Sequence, residues 1–208
     1  MFLVRLLPLL LLVATTDQTR CEESIRRGEY DGSSSLCTPT NPPVWEPRFY
    51  MKQRKKQENS FSTVDFYFDS LRGASLIVDT PDANLSDPLW DLELSNHSSY
   101  YFHPNRSTCD VIEMPVGLLA LNWLENATYL GAFHINGKDC YGYTKEDFID
   151  YYADKSTCLP VRWYFHSMQA TFDTVSYVSN RSVRDLSWLA VPAICEGQNS
   201  TRRPAPPR

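Results

Sequence analysis

The chain has 208 residues, a formal net charge of −5, 42% apolar residues and 22% charged residues. This composition is typical of a folded globular domain and excludes a wholly disordered chain. The weakly acidic balance provides no basic patch for nucleic acid, so we expect no nucleic-acid partner.

Residues 1–16 have the pattern of a secretory signal peptide. Arg5 supplies the early positive charge, an apolar run follows over 6–13, and Ala14 to Thr16 are the small residues that precede cleavage. The run is too short to span a bilayer, and no later stretch approaches the ~20 apolar residues required, so we expect no integral membrane span. The predicted location is secreted or in the endomembrane lumen, including the lysosome or vacuole.

Six Asn-x-Ser/Thr sequons, more than chance provides, predict an N-glycoprotein. Their acceptors are Asn84, Asn96, Asn105, Asn126, Asn180 and Asn199.

Six cysteines fit an oxidising compartment and predict structural disulfides, with 15 pairings open. They are Cys21, Cys37, Cys109, Cys140, Cys158 and Cys195. We expect Cys109, Cys140 and Cys195 to be oxidised, and Cys21 or Cys37 to tie the N-terminal segment to the folded domain. The sequence has no C-x-x-C motif, so it does not indicate a zinc or redox site.

Residues 17–60 are predicted to be loosely ordered, because four prolines lie between Pro39 and Pro47 and the basic run 52–56 is typical of a solvated loop. A single β domain is predicted over 61–195. The Pro- and Arg-bearing tail 196–208 is predicted to be disordered.

Within the β domain, apolar and polar residues alternate with period two in one short stretch after another, beginning at Val64, Phe66 and Phe68. Asn136-Gly137 is a strong hairpin signal between two such stretches. Helical character is confined to 118–125. Further strands are expected over 74–80, 90–94, 99–103, 109–116, 128–135, 138–143, 148–152, 161–166 and 171–178. About ten short strands with one or two short helices predict a mainly β fold, an antiparallel meander in a single sheet.

The sequence contains no G-x-S-x-G, Walker, G-x-G-x-x-G or H-E-x-x-H motif. His134 and His166 lie on predicted strands, where packed histidines are commoner than catalytic ones. Asp91-Leu-Glu93 is the nearest approach to a metal-binding Asp-x-Asp, but it lies in a plain alternating strand. We therefore predict no catalytic residue, no metal ligand and no cofactor.

Five Trp, twelve Tyr and ten Phe form either the core of a large sheet or the wall of an apolar pocket. The residues expected to be buried are Phe66, Trp90, Tyr129, Phe133, Trp163 and Phe165. The candidate ligand-binding residues are Tyr129, Phe133, Tyr151, Trp163 and Phe165.

Residues 41–195 resemble a family of small secreted proteins found notably in plants, some of whose members bear the label "transferase, transferring glycosyl groups". The matching stretches include Asn41 to Pro47, Val64 to Asp69, Trp90 to Leu94, Cys109 to Asp154 and Pro160 to Trp163. The hairpin, the Tyr-Tyr strand and Pro-Val-Arg-Trp also resemble ependymin-related proteins and bacterial lipoprotein carriers. That second likeness implies a strongly curved sheet, or half-barrel, around an apolar cavity.

Together these features predict a secreted, N-glycosylated binding protein that holds a lipid or another amphipathic small molecule in an aromatic-lined cavity. One alternative is a glycan-active enzyme, either a glycosyl transferase or a hydrolase. Another is an extracellular structural or interaction protein without a small ligand. We favour a binding role over catalysis.

Overall fold

The computed structural model describes residues 37–114 and 117–197, and the backbone of Thr201 and Arg202. Twelve strands in this part of the chain form one sheet, with the spatial order β12-β6-β5-β4-β3-β2-β1-β11-β10-β9-β8-β7. The strands are β1 (Arg48–Gln57), β2 (Ser60–Asp69), β3 (Ala74–Pro81), β4 (Leu89–Leu94), β5 (Ser98–Phe102), β6 (Cys109–Glu113), β7 (Thr128–Ile135), β8 (Lys138–Lys145), β9 (Ile149–Asp154), β10 (Pro160–Phe165), β11 (Ala170–Ser179) and β12 (Thr201–Arg202). Two 3-10 helices cover Leu186–Leu189 and Ala193–Cys195.

The predicted mainly β antiparallel meander is confirmed. Strands β1 to β11 pair antiparallel, whereas β12 pairs parallel to β6. The outermost strands β12 and β7 do not pair with each other, so the sheet is open. Asn136 and Gly137 both have positive φ, 51° and 77°, as the tight turn of the β7–β8 hairpin requires.

Ring contacts across the sheet show that one face is strongly concave. Phe66 on β2 and Trp163 on β10 are separated by β1 and β11, a distance of ~14 Å on a flat sheet. Their ring centroids are 5.8 Å apart. Side chains from such distant strands converge on the inner side of a curved sheet, which confirms the half-barrel.

The concave face holds the larger core, named here the aromatic cluster. Trp45 lies at its centre, stacked on Trp163 at 5.6 Å and in edge contact with Phe49 and Phe68. Its buried members are Cys37, Trp45, Phe49, Met51, Val64, Phe66, Phe68, Leu124, Tyr143, Ile149, Tyr151, Ala153, Trp163, Ala170 and Phe172.

The described part of the β6–β7 connection, residues 117–127, packs on this face, because β6 and β7 lie toward opposite ends of the sheet. Leu124 is fully buried in the aromatic cluster, and Trp123 packs beside it. The Trp45 backbone N–H donates to the Leu121 carbonyl oxygen at 2.8 Å, so this connection and the segment before β1 hold each other in place.

The opposite face of β3 to β6 carries a second core that includes Leu76, Leu92 and Phe102. The segment after β11 covers it through Val183, Trp188 and Cys195. The two halves of the sheet therefore bury opposite faces, and each half has its own covering segment.

Two expectations about local structure are wrong. Residues 48–60 are not loosely ordered. The four prolines of the predicted loose segment all precede Arg48, and after them Phe49, Met51 and Gln53 point alternately inward on a central strand. No helix forms over 118–125; the segment makes turns, and its apolar side chains fill the concave face. In the tail, Thr201 and Arg202 pair with Ile112 and Glu113.

The cysteines form Cys37–Cys158 and Cys109–Cys195 disulfides. The first confirms that Cys37 ties the N-terminal segment to the folded domain. Cys140 is buried and forms no disulfide with another described cysteine, so its predicted oxidation stays a prediction. Burial raises the pKa of this thiol. Cys21 lies outside the described residues.

The sequon residues Asn84, Asn96, Asn105, Asn126 and Asn180 are all exposed. Asn199 and the predicted signal peptide lie outside the described residues. In the part of the chain that is described, no helix combines the length and apolar character needed to cross a membrane.

Candidate functional site

The predicted pocket residues divide between the two faces of the sheet. A β-bulge between Tyr129 and Gly131 shifts the register of β7, so Tyr129 lies opposite Tyr143 whereas Phe133 lies opposite Cys140. Phe133 consequently contacts Tyr152 on the outer face, at 5.1 Å between ring centroids. Tyr129 and Phe133 are 36% and 37% exposed, so the expectation that both are core residues is wrong.

Tyr151, Trp163 and Phe165 do come together on the concave face, with ring centroids 5.9 and 6.3 Å apart along the series. Tyr151 is fully buried, and its hydroxyl accepts a hydrogen bond from Trp45 Nε1 at 3.3 Å. Burial raises the pKa of that hydroxyl. Tyr151 and Trp163 are therefore core residues, and Phe165 lies half-buried at their margin. Side chains of this chain fill this half of the concave face.

The other half of the concave face is polar. One row across the sheet shows the change, running from Met51 through Phe66 and Ile77 to Asp91 and Tyr101. We name this polar half the polar patch; it consists of Gln53, Lys55, Ser75, Asp79, Asp91, Glu93, Ser99 and Tyr101.

Asp91 and Glu93 are the centre of the polar patch. They lie two residues apart on β4 and therefore point to the same face. Ser75 and Ser99 flank Glu93 on the neighbouring strands, and the Ser75 hydroxyl donates to Glu93 Oε2 at 2.9 Å. Burial, followed by repulsion from Glu93, raises the pKa of Asp91 well above its ordinary value; a hydrogen bond from Tyr101 partly opposes this. Burial likewise raises the pKa of Glu93.

Several buried polar atoms of this patch have no hydrogen-bond partner within the described residues. Gln53 and Ser99 are each 1% exposed, yet Gln53 Nε2 and Ser99 Oγ are unpartnered. The same holds for one carboxylate oxygen each of Asp79 and Asp91. Unpartnered buried polar atoms are rare and costly in folded proteins, so four of them on one concave face make this patch the candidate site.

The charges of the patch are unbalanced. Lys55 Nζ lies 2.7 Å from Asp79 Oδ2 and compensates that carboxylate. Among the described side chains, none forms a salt bridge with Asp91 or Glu93. The described residues also contain no group of three or more His, Cys, Asp or Glu suited to a metal ion.

We expect Asp91→Asn to stabilise the protein near neutral pH by on the order of 1 kcal/mol, because the neutral amide avoids burying a charge beside Glu93. The raised pKa means that the folded state retains a proton that the unfolded state has lost, so the wild type loses stability as pH rises above about 4. Urea unfolding, monitored by Trp fluorescence at several pH values, should show that the extra stability of Asp91→Asn shrinks as the pH falls toward about 4. Asp110→Asn, which neutralises an exposed carboxylate on β6, two strands from β4, should change stability by less than ~0.5 kcal/mol; an equal gain there would contradict this assignment.

A separate apolar depression of about 190 Å³ lies on the opposite face, between β4, β5 and the C-terminal covering segment. Trp90, Phe102 and Trp188 form most of its wall. Trp90, expected to be buried, is only partly so. The depression is smaller than the ~300–1,000 Å³ of ordinary ligand pockets, so it does not provide the predicted lipid cavity.

Sequence reasoning treated Asp91 and Glu93 as ordinary strand residues. The available signal was that two carboxylates at i and i+2 point to one face, while Leu92 and Leu94 make the other face apolar. What it could not show was which face is concave, because that depends on the pairing of distant strands.

A domain-family profile matches residues 44–195, from just before Trp45 to Cys195, and therefore includes β1 to β11 and both covering segments. The chain belongs to this family, described as a domain of unknown function, DUF8395. No curated protein matches the sequence. The fold of this DUF8395 domain is similar to the crystal structure of an uncharacterized conserved protein from Thermus thermophilus. That likeness has a TM-score of 0.50 and 10% identity, and covers 88% of this chain and 99% of that chain. At this identity it shows the fold alone.

Proposed function

We propose that the protein is a secreted, N-glycosylated binding protein that holds a small amphipathic ligand on the concave face of its open sheet. The observation that carries this proposal is the junction at Ile77. This residue packs against the aromatic cluster and lies directly opposite Asp91 of the polar patch. An amphipathic molecule there would place its polar end on the unpartnered groups and its apolar part against Ile77, Leu118 and Leu119, which are partly exposed.

Secretion or lumenal residence is supported by independent features. Two disulfides link distant parts of the chain, as is usual for proteins of oxidising compartments. Five sequon asparagines are exposed, as glycosylation requires. The leader-like pattern at 1–16 agrees with both.

A glycan-active enzyme is the second candidate, and the Asp91–Glu93 pair favours it specifically. Two neighbouring carboxylates, one held protonated, are the groups that glycoside cleavage employs. The likeness to plant proteins bearing a glycosyl-transferase label agrees with this alternative. Turnover of an oligosaccharide or sugar nucleotide that is lost in both Asp91→Asn and Glu93→Gln would establish it over a binding role.

To test the binding proposal, lipid-stripped glycoprotein is titrated by calorimetry with four amphiphiles of equal chain length: an alkylamine, an alkyl carboxylate, an alkyl alcohol and an alkyl glucoside. We expect at least one to bind with negative ΔCp, because apolar surface leaves water. Ser99→Val should weaken that binding at least tenfold while folding normally, since it removes a hydroxyl that has no partner. Ser176→Val at an exposed position of β11 is the matched control. Failure of all four amphiphiles overturns the proposal and leaves an extracellular interaction protein without a small ligand.

A further inference from the structure

We infer that the polar patch recognises a cationic amine, so that the ligand is an amphipathic amine held by Asp91 and Glu93. This inference rests on the proposed binding function and specifies the chemistry of its polar end. The geometry that carries it is a pair of carboxylates on β4 in a concave face, facing unpartnered buried oxygen atoms on both neighbouring strands.

The charge of the surroundings favours a cation over an anion or a neutral head group. Groups facing Asp91 and Glu93 are Asp79 diagonally on β3, Tyr101 and Ser99 on β5, and Asp110 beyond Tyr101 on β6. Lys55 is the cation of the patch and is already paired with Asp79. A half-buried carboxylate pair without a counter-ion is costly, and a ligand that supplies the positive charge removes much of that cost.

The available hydrogen-bonding groups match an ammonium ion. A primary ammonium has three N–H donors and no acceptor. Asp91 Oδ1, Asp79 Oδ1 and Ser99 Oγ are acceptors without a described partner, and Glu93 can accept further bonds. Gln53 Nε2 is a donor and therefore cannot bind a cation. It lies on β1, two strands from β3, and so does not face the carboxylate pair directly.

Proton linkage gives this site a characteristic pH dependence. A cation favours the ionised carboxylates, and burial raises the pKa of both, so binding of the amine is coupled to release of protons from this pair. Affinity should therefore rise with pH through the range in which these two groups titrate. An amine would be taken up at higher pH and released in a more acidic compartment.

The test uses the full-length glycoprotein, dodecylamine as the probe, and dodecanol and dodecyltrimethylammonium as comparisons. We expect dodecylamine to bind at least tenfold more tightly than dodecanol, because the alcohol leaves the carboxylates uncompensated. The trimethylammonium probe should also bind more weakly, since it carries the charge without N–H donors. Glu93→Gln should reduce dodecylamine affinity at least tenfold and flatten its pH dependence, whereas Asp110→Asn should change it less than about twofold.

Three results would overturn the inference: equal affinity for amine and alcohol, an undiminished affinity in Glu93→Gln, or calcium chloride binding as tightly as the amine. Asp91→Asn provides a second variant that we expect to be more stable than wild type, so loss of folding does not obscure the result. Binding of the alkyl carboxylate or glucoside alone would reject the amine while leaving the proposed binding function intact.

Discussion

Replacing Trp163 by Ala is expected to lower the free energy of unfolding by about 3–5 kcal/mol, the range for deleting a large buried ring. Trp163 is 7% exposed and contacts Trp45, Phe66 and Tyr151 from three separate parts of the chain. The loss of stability should exceed that expected from the lost apolar surface alone. The cavity would also remove the stacking contact through which Trp45 holds the segment before β1 on the sheet. Urea unfolding monitored by far-UV circular dichroism measures it.

Phe61→Ala is the matched control for this experiment. Its ring is 44% exposed on β2 and its charged neighbour Arg54 lies 5.3 Å from the ring centroid. We expect a cost below about 1 kcal/mol, because most of that ring already contacts water and the cation–π contact is weak at the surface. If the two variants lose equal stability, the aromatic cluster is not the main core of the domain.

The fold could be predicted to the extent that it depends on local alternation. Period-two patterns located ten strands because each buries alternate side chains, and Asn136-Gly137 located the hairpin because both residues tolerate positive φ. Strand β1 was missed because its inward side chains include Gln53 and Lys55, which lie in the polar patch. A strand that contributes to a polar concave face loses the apolar signal on which such prediction depends.

The candidate site could be predicted much less well, for a related reason. A bulge in β7 reverses the side-chain parity between Tyr129 and Phe133. Gly131, whose φ is 128°, lies at this bulge, and a lone glycine inside a strand was the signal that could have indicated it. The polar patch depends on pairing between β3, β4 and β5 and on a curvature that a single strand does not encode. Three of the aromatic residues proposed as pocket wall, Tyr151, Trp163 and Phe165, belong to the core or its margin, since Trp45 and residues 117–127 fill the space above them.

Removal of the Cys109–Cys195 disulfide, by replacing both cysteines with serine, is expected to cost about 4–5 kcal/mol. The bond joins residues 86 positions apart, and a cross-link over so long a loop strongly restricts the unfolded chain. It also fastens the C-terminal covering segment to β6, over the core that contains Leu76 and Leu92. Urea unfolding under non-reducing conditions measures the loss, and limited proteolysis should cleave first near Trp188 in the variant.

Cys140→Ala provides the control, because it removes a buried thiol without opening a described disulfide. We expect it to cost about 1 kcal/mol through lost packing, and to do so equally in oxidising and reducing buffer. The stability of the double serine variant should instead differ less between oxidising and reducing buffer than that of the wild type. The difference that remains comes from Cys37–Cys158, which ties the opposite end of the domain. The two bonds close overlapping loops, 37–158 and 109–195, so their losses should not be strictly additive, because each bond restricts part of the unfolded chain that the other also restricts.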